Sequence, residues 1–452
     1  MKKYHFTLRF FVLVFSLMIS CQSDPVPVTY EEGTNQYVND WMYEQMKKYY
    51  LWNESLPKNT DKSLNPKEYF GRLLNTEDRF SYATNVALPE TAPKSIRISY
   101  GFDISFIEYE AQVYGVVLYV LSDSPAERSG LKRGQLIKAI NGVAVNNQNL
   151  ERLYADILNS ERINLKLTEY ASQSGFSTAK EMEIIRGFTF SQSIIHKIIS
   201  NNSQKTGYIA IAHFDSGLAA TLLSVFSEFK KESVTKVIVD LRYNGGGDVS
   251  SATALSILLA PNIKPDDLFI KFKGNKNGGF VNKSFKEALE MNETQIGFEA
   301  LRTAHPLLIQ ELYVLCGTHT ASASEIIINN LKPFMPVISI GEKTVGKDVA
   351  GFAIEDERPS SGNKGWVLYP VIYKLFNAND EGNYAKGINP VVALNELQEM
   401  EIFPLGDPRE ILINRALNGV VNAKQNKSSA VKRLSLKTIY KDTDPFLQIN
   451  LK

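Results

Sequence analysis

One stretch of the chain carries residue types suited to nucleophilic chemistry. Residues 317–347, GTHTASASEIIINNLKPFMPVISIGEKTVGK, open with small side chains, Thr320 to Ser324, that leave a hydroxyl unshielded. The pattern predicts a short apolar helix from Glu325 to Leu331, stopped by Pro333. A buried strand, PVISI, follows and ends at the turn glycine Gly341. The next loop delivers Lys347. A strand–helix–strand excursion of this kind brings its ends together: Ser322 on amides that open a helix, and Lys347 at the lip of a neighbouring strand. A serine hydroxyl attacks only when something takes its proton, and a lysine can do so only when uncharged, a form that burial favours. The strand and Val345, Val349 and Phe352 are the candidate apolar wall.

Other chemistries compete for the same residues. Ser322-Ala-Ser-Glu325 is also a helix capping box. Gly341 to Asp348 is one residue short of a phosphate-binding loop, but Asp348 stands where a hydroxyl is needed, and VAGFAI reads as a strand rather than the required helix. Cys316 ends an apolar strand, LYVLC, and reads as a buried thiol. A histidine base would have to come from His213 with Asp215, or from His319 beside Ser322. No H-E-x-x-H is present and one cysteine besides Cys21 remains, so zinc ligands are lacking.

A second chemical feature is the glycine turn Asn244-Gly245-Gly246-Gly247, which follows the strand KVIVDLR. Strand ends of α/β sheets are where ligand sites collect, and glycines let a backbone approach a substrate and aim N–H groups at it. Together these segments are similar to the carboxyl-terminal processing, or tail-specific, serine proteases. ASASEI, followed by the lysine of GEKTVGK, resembles that family's signature, and DLRYNGGG resembles its D-L-R-x-N-x-G-G segment. The resemblance implies Ser322 as nucleophile, Lys347 as general base, and the amides of Gly246 (with Gly247 next in line) and Ala323 as the oxyanion hole. Many members carry a glutamine four residues after the lysine; here that place is Gly351, so Asp348 or Glu325 would have to hold the lysine.

Around these motifs the chain divides into modules. Residues 96–187 give successive β-type runs, SPAERSGLKRGQLI and the helix NLERLYADIL, and resemble a PDZ domain. Such a domain takes up peptides on a sheet edge with their carboxylate on backbone amides, here those of Tyr100, Gly101 and Phe102; a lid or spacer role is the alternative. Residues 37–95 read as an N-terminal helical region, with a helical pattern and aromatic stripe to about Thr76 followed by DRFSYAT (78–84), which resembles a segment of the same family. GYIAIAHF and GLAATLLSVFSEFKKE supply a strand and an amphipathic helix of the catalytic part, 188–418. Within it 262–305 reads as an inserted, mobile loop or helical arm. The tail, 419–452, is polar and basic.

The 452 residues have 44% hydrophobic and 22% charged side chains and a formal charge of +1, which points away from nucleic acid. Lys2, Lys3 and Arg9 flank an apolar run too short to span a bilayer, so residues 1–20 read as a secretory signal. The run ends in Met-Ile-Ser-Cys21, which resembles a bacterial lipobox and implies a lipid on Cys21, with 21–36 as a tether. Removing the signal takes away three of 50 basic and none of 49 acidic residues and leaves a charge of −2. The expected architecture is α/β and multidomain: a helical N-terminal region, a PDZ-like β module and an α/β protease core that the resemblance makes ClpP/crotonase-like. The expected function is a lipid-anchored serine endopeptidase of the bacterial cell envelope, working on protein or peptide substrates and needing no cofactor. A non-hydrolytic peptide-binding protein on the same scaffold is the alternative.

Overall fold

The computed structural model describes residues 29–419, apart from 93, 190–193, 202–203, 307–308 and 359–364, together with Ser435 and Leu436. Residues 1–28, with the expected signal segment and Cys21, and most of the tail lie outside the described residues. At the centre is a six-stranded sheet in the order Ile194–Asn201, Gln204–Ile211, Lys236–Asp240, Leu312–Cys316, Val337–Gly341, Val392–Ala393. The first pair is antiparallel and every later pair is parallel. Strands covered on both faces need apolar residues at successive positions, and KVIVD and LYVLC are buried throughout. One face is covered by helices Ala219–Lys231, Val249–Leu259 and Ala323–Asn330. Every residue of Val249–Leu259 is buried, which is why its sequence is apolar all round, and Asp248 caps it by accepting the Ser251 N–H at 2.8 Å.

Residues 262–305 are not a mobile arm. Strands Leu268–Lys273 and Phe280–Ser284 form a hairpin that joins Tyr373–Phe376 and Val349–Ala350 in a four-stranded sheet. Helices Phe285–Leu289 and Phe298–Ala304 pack beneath. The polar composition hid a core stripe: Phe269, Ile270, Phe272, Phe285 and Leu301 are buried among the central helices.

The N-terminal region is likewise not helical alone, nor self-contained. Helix Asn35–Tyr49 is capped by Thr34, and helix Pro66–Leu73 begins with proline behind an Asn65 cap. Strand Tyr82–Asn85 then pairs with Trp366–Tyr369, which pairs with Ile354–Glu355. Val38, Met42, Tyr69 and Phe70 share one core with Val349, Trp366, Leu368 and Val371. Residues 38–85 are therefore welded to the residues just after Lys347.

Residues 96–187 fold as a twisted antiparallel sheet in the order Phe102–Tyr109, Gln112–Val120, Leu136–Ile140, Arg162–Thr168, Lys180–Ile185, with helix Leu150–Asn159 packed over its core. On the outer edge of Phe102–Tyr109 lies Ser435–Leu436, antiparallel, with Leu436 opposite Ile107 and Ser435 opposite Glu108.

This module and the central sheet are joined by a buried ion network. Arg242, 2% exposed, donates to Asp240, Glu396 and Glu410 at 2.6–3.0 Å. Arg133, from the GLKRG turn, donates to Glu396 at 2.8 Å and to the Phe403 carbonyl at 2.9 Å. Burial alone would push the Glu396 carboxyl up, but Arg133 and Arg242 hold it down at about 2. Removing one partner from such a network leaves uncompensated buried charge, at a cost of about 3–5 kcal/mol. Arg242→Ala is therefore expected to lose that much stability in urea unfolding, while Arg409→Ala, which removes an exposed ion pair, loses no more than about 1 kcal/mol.

Candidate active site

The serine loop is fixed by its small polar neighbours. Thr320 Oγ1 donates to the Leu241 carbonyl at 2.8 Å and accepts the Gly317 N–H at 2.8 Å. The Ala321 N–H and Ser324 Oγ both donate to the Asn244 carbonyl, at 3.2 and 3.0 Å. Clamped at both sides, Ser322 takes φ 55°, ψ −118° at the mouth of helix Ala323–Asn330. A non-glycine residue in such a conformation stores about 1–3 kcal/mol and is held there by its surroundings. A serine on a strained strand-to-helix turn presents its oxygen away from the backbone. Its Oγ is buried and has no hydrogen-bond partner. Ser322 and Glu325 have the arrangement of a capping box, with the Ser322 N–H on Glu325, but the hydroxyl itself makes no cap hydrogen bond, and neither Lys347 nor a histidine is hydrogen-bonded to it in this conformation. Catalytic hydrogen bonds are often unmade until a substrate is in place.

Glu325 joins this loop to the lysine loop. One carboxylate oxygen, Oε2, accepts the N–H groups of Ser322 at 2.9 Å and Lys347 at 2.7 Å. The other accepts Thr344 Oγ1 at 2.5 Å and the Gly346 N–H at 2.8 Å. The two backbone nitrogens of Ser322 and Lys347 thus lie within twice a hydrogen-bond length of each other. Burial pushes the Glu325 carboxyl up to about 7 against the pull of these four donors. Glu325 holds the backbone of Lys347, and Asp348 is spent elsewhere, on Lys374 at 3.0 Å. Lys347 is 6% exposed, and its Nζ lies 5.5 Å from the centre of the Phe80 ring. Arg79, beside that ring, donates to the carbonyls of Val345, Gly346 and Ala385 at 3.0–3.2 Å. Gly351 has no room for any side chain, because a Cβ there would lie 2.1 Å from the Pro370 carbonyl oxygen.

The glycine turn lies against the serine. A Cβ on Gly246 would come within 2.7 Å of Ser322 Cβ and 3.1 Å of the Ala323 nitrogen, which explains glycine there. Its N–H, however, is donated to Asn244 Oδ1 at 2.7 Å, so the expected oxyanion donor is turned inward in this conformation. The N–H groups of Gly247 and Ala323 have no acceptor among the described residues. That of Ala323 is one of the orphan donors every helix start leaves. Gly247 is zipped to the end of strand Gln204–Ile211 through Phe214, whose N–H donates to the Gly246 carbonyl and whose carbonyl accepts the Asp248 N–H.

Residues 205–394 match the pattern described as peptidase family S41, and residues 37–82 match that of the peptidase S41 N-terminal domain. The chain belongs to peptidase family S41. It is 26% identical over 238 residues to a carboxyl-terminal-processing protease of Picosynechococcus, covering 53% of this chain and 51% of that one. It is 25% identical over 295 residues to a CtpA-like serine protease of Staphylococcus aureus, covering 64% and 53%. The chain thus spans about half the length of the curated relatives it matches. An S41 protease from Bacteroides fragilis shares the fold, with TM-score 0.68 and 24% identity over 87% of this chain and 98% of that one. So does the photosystem II D1 C-terminal processing protease, with TM-score 0.51 and 18% identity over 86% and 99%.

Within this S41 chain the structure brings Ser322, Ala323, Gly246 and the Lys347 loop to one place. It does not make an open carboxylate nest of Tyr100, Gly101 and Phe102. Helix Ile96–Tyr100 uses the Gly101 N–H for its own C-cap, on the Ile96 and Arg97 carbonyls, and Tyr100 and Phe102 are fully buried. The thiol of Cys316 is buried, pushed up to about 12, which removes it as a nucleophile. Burial takes His319 down to about 4, leaving it a feeble base, and His213 pairs with Asp215 at 3.0 Å beside Gly247. After Lys347 comes strand Val349–Ala350 and no helix, so the phosphate-loop reading fails. No cluster of metal-ligating side chains occurs among the described residues. Sequence reasoning gave no role to Arg79, Phe80, Thr320 or Ser324; DRFSYAT had drawn notice as a motif, but 266 residues separate Arg79 from Val345.

Two outcomes follow from the Glu325 and Arg79 contacts. Between about pH 4.5 and 7 the folded Glu325 keeps a proton that the unfolded chain has released, so its contribution falls as pH rises through that window, by on the order of 3 kcal/mol. Urea unfolding from pH 4 to 8 should show this slope in the wild type and its loss in Glu325→Gln; parallel profiles would count against it. On the proteolytic reading proposed below, Arg79→Ala should cut peptide turnover about ten- to hundredfold, the cost of misplacing the Lys347 loop, with little change in KM.

Proposed function

We propose that the chain is a serine endopeptidase of the tail-specific type, with Ser322 as nucleophile and Lys347 as base. The observation that carries this reading is the strained, buried and unpartnered Ser322 hydroxyl, tethered through Glu325 to the loop of a buried lysine. Neutral Lys347 takes the Ser322 proton as Oγ attacks the peptide carbonyl carbon, and the resulting ammonium returns it to the leaving amine. An acyl-enzyme remains, and a water, deprotonated by the same amine, releases the acid. The oxyanion falls to the Ala323 N–H and a glycine amide of the 246–247 turn, with Gly247 already unpaired and Gly246 available once it leaves Asn244. The Phe80 ring and Arg79 keep water from the amine and the loop in register.

Residues 96–187 serve as a PDZ-like module whose outer strand receives an extended peptide edge to edge; Ser435–Leu436 lying on that edge supports its readiness to pair. The substrates are proteins or peptides offered by their C-terminal segments. The central sheet with its serine at a helix start is compatible with a ClpP/crotonase-like core. A lipid on Cys21 would hold the protein in a bacterial cell envelope. The missing glutamine at Gly351 favours a second reading, a peptide-binding protein without hydrolysis.

Cleavage of varied peptides by the purified chain, followed by chromatography, separates the two readings. Ser322→Ala and Lys347→Ala should each lower turnover by about a thousandfold or more, and the double variant should lose little further, because the pair acts as a unit. A wild type as inert as the variants would leave only binding.

A further inference from the structure

The edge on which the 96–187 module would receive a peptide already has an occupant. Strand Phe102–Tyr109 pairs on one side with Gln112–Val120, and on the other with Ser435–Leu436 from the chain's own tail. The Gly101 N–H in front of this strand is spent on the Ile96 and Arg97 carbonyls. The edge therefore suits the middle of a chain better than a free C-terminus, and Leu436 is followed by 16 further residues. Charge is matched as well. Residues 420–441 hold six basic side chains and no acidic one, whereas the strand has Glu108 opposite Ser435 and Glu110 two residues on. The tail also starts close enough. Helix Ile411–Leu417 contributes Leu412, Ile413 and Ala416 to the hydrophobic cluster that contains Ile107. The 16 residues from Gly419 to Ser435 can span up to about 55 Å.

We propose that the segment around Ser435–Leu436 is a built-in ligand of this module, which holds the outer edge of Phe102–Tyr109 until an incoming peptide displaces it. The proposal rests on the reading of 96–187 as a peptide-receiving module and adds its regulation. Pairing at a sheet edge uses main-chain groups, which any extended peptide offers, so the tail and a substrate contend for the same donors and acceptors. Phe102 to Phe106 have no strand opposite them on this edge among the described residues. A peptide that starts there meets the tail at Ile107. A connection this short gives the segment an effective concentration of about 1 mM. With a dissociation constant on the order of 0.1–0.5 mM it weakens a competing peptide about three- to tenfold, because only the vacant fraction of the edge can bind.

The test compares the full chain with two variants. One ends at Gly419; the other carries Ser435→Pro with Leu436→Pro, which removes both N–H groups of the segment. The probe is a fluorescent peptide of residues 430–441 of this chain, and its binding is followed by anisotropy. Both variants should bind it about three- to tenfold more tightly than the full chain does. Hydrogen exchange in residues 102–109 should be slowest in the full chain. Equal binding and equal exchange in all three proteins would overturn the built-in ligand and leave the module free to take up other peptides. Slower exchange in the full chain, with no probe bound by the variants, would make the segment a fixed edge strand and overturn the competition. Protection that grows with protein concentration would assign the edge to the tail of a second copy, which overturns the contact within one chain. Failure of the module reading is distinct: neither variant would bind the probe or any peptide used for cleavage, and exchange in 102–109 would be the same in all three.

Discussion

A single buried carboxylate holds the candidate site together. Glu325 sits one turn into the helix that starts at Ser322, and its two oxygens accept four hydrogen bonds from the serine loop and the lysine loop. A carboxylate has about four lone-pair positions, so the group is filled by these donors alone. What it holds is mostly backbone: the N–H groups of Ser322, Gly346 and Lys347, with the Thr344 hydroxyl as the fourth donor. On the proposed reading this suits a base, because a carboxylate bonded to the lysine's amide gives position, whereas an ion pair with its side chain would favour the charged form.

The same division between holding and reacting recurs in the glycine turn. Asn244 donates through Nδ2 to the Ile211 carbonyl at 3.0 Å, accepts the Gly246 N–H on Oδ1, and takes two donors from the serine loop on its carbonyl. It therefore ties three strand ends to one point. The Gly246 N–H is the one catalytic candidate caught in this arrangement. Aiming it at a substrate requires a local peptide rotation that costs the Asn244 bond and gains one to a developing oxyanion. Because charge-assisted hydrogen bonds are roughly twice as strong as neutral ones, the exchange is favourable only when the negative charge is present.

Much of this was legible in the sequence where the signal is local. The helix after Ser322, the strand before Gly341 and the βαβ order follow from runs of apolar residues with breakers at their ends, and they lie where the pattern puts them. The serine and lysine stood out by residue type and spacing, and their roles, with that of the glycine turn, came from the resemblance to the tail-specific proteases. What failed was non-local or conformational. The stripe Phe269, Ile270 and Phe272 alternates with lysines and sits among glycines and asparagines, so composition concealed a core strand. The loop at Tyr100 looked like a row of open amides, but Ile96 to Tyr100 closed into a helix that consumed them, with Ser95 as its cap. The direction of the Gly246 N–H depends on one side chain two residues earlier, and no pattern in a single chain encodes it.

The N-terminal region shows why a motif can be visible while its purpose is not. Asp78 accepts the N–H groups of Phe80 and Ser81 at 2.9 and 3.0 Å and the Tyr50 hydroxyl at 2.7 Å, which pins DRFSYAT to the first helix. Ser81 Oγ in turn accepts the Val371 N–H at 2.7 Å, and Tyr82–Asn85 adds a strand beside Trp366–Tyr369. These last two contacts are to chain that follows Lys347. Arg79 completes the set by grasping three carbonyls, two of them on the residues before that lysine. A loop with glycines at 341 and 346 has backbone freedom to lose on folding, and a distant segment supplies the contacts that offset the loss. The Lys347 loop is thus positioned by contacts from a segment far away in the sequence, so residues 37–82 belong with the candidate site rather than to an appendage in front of it.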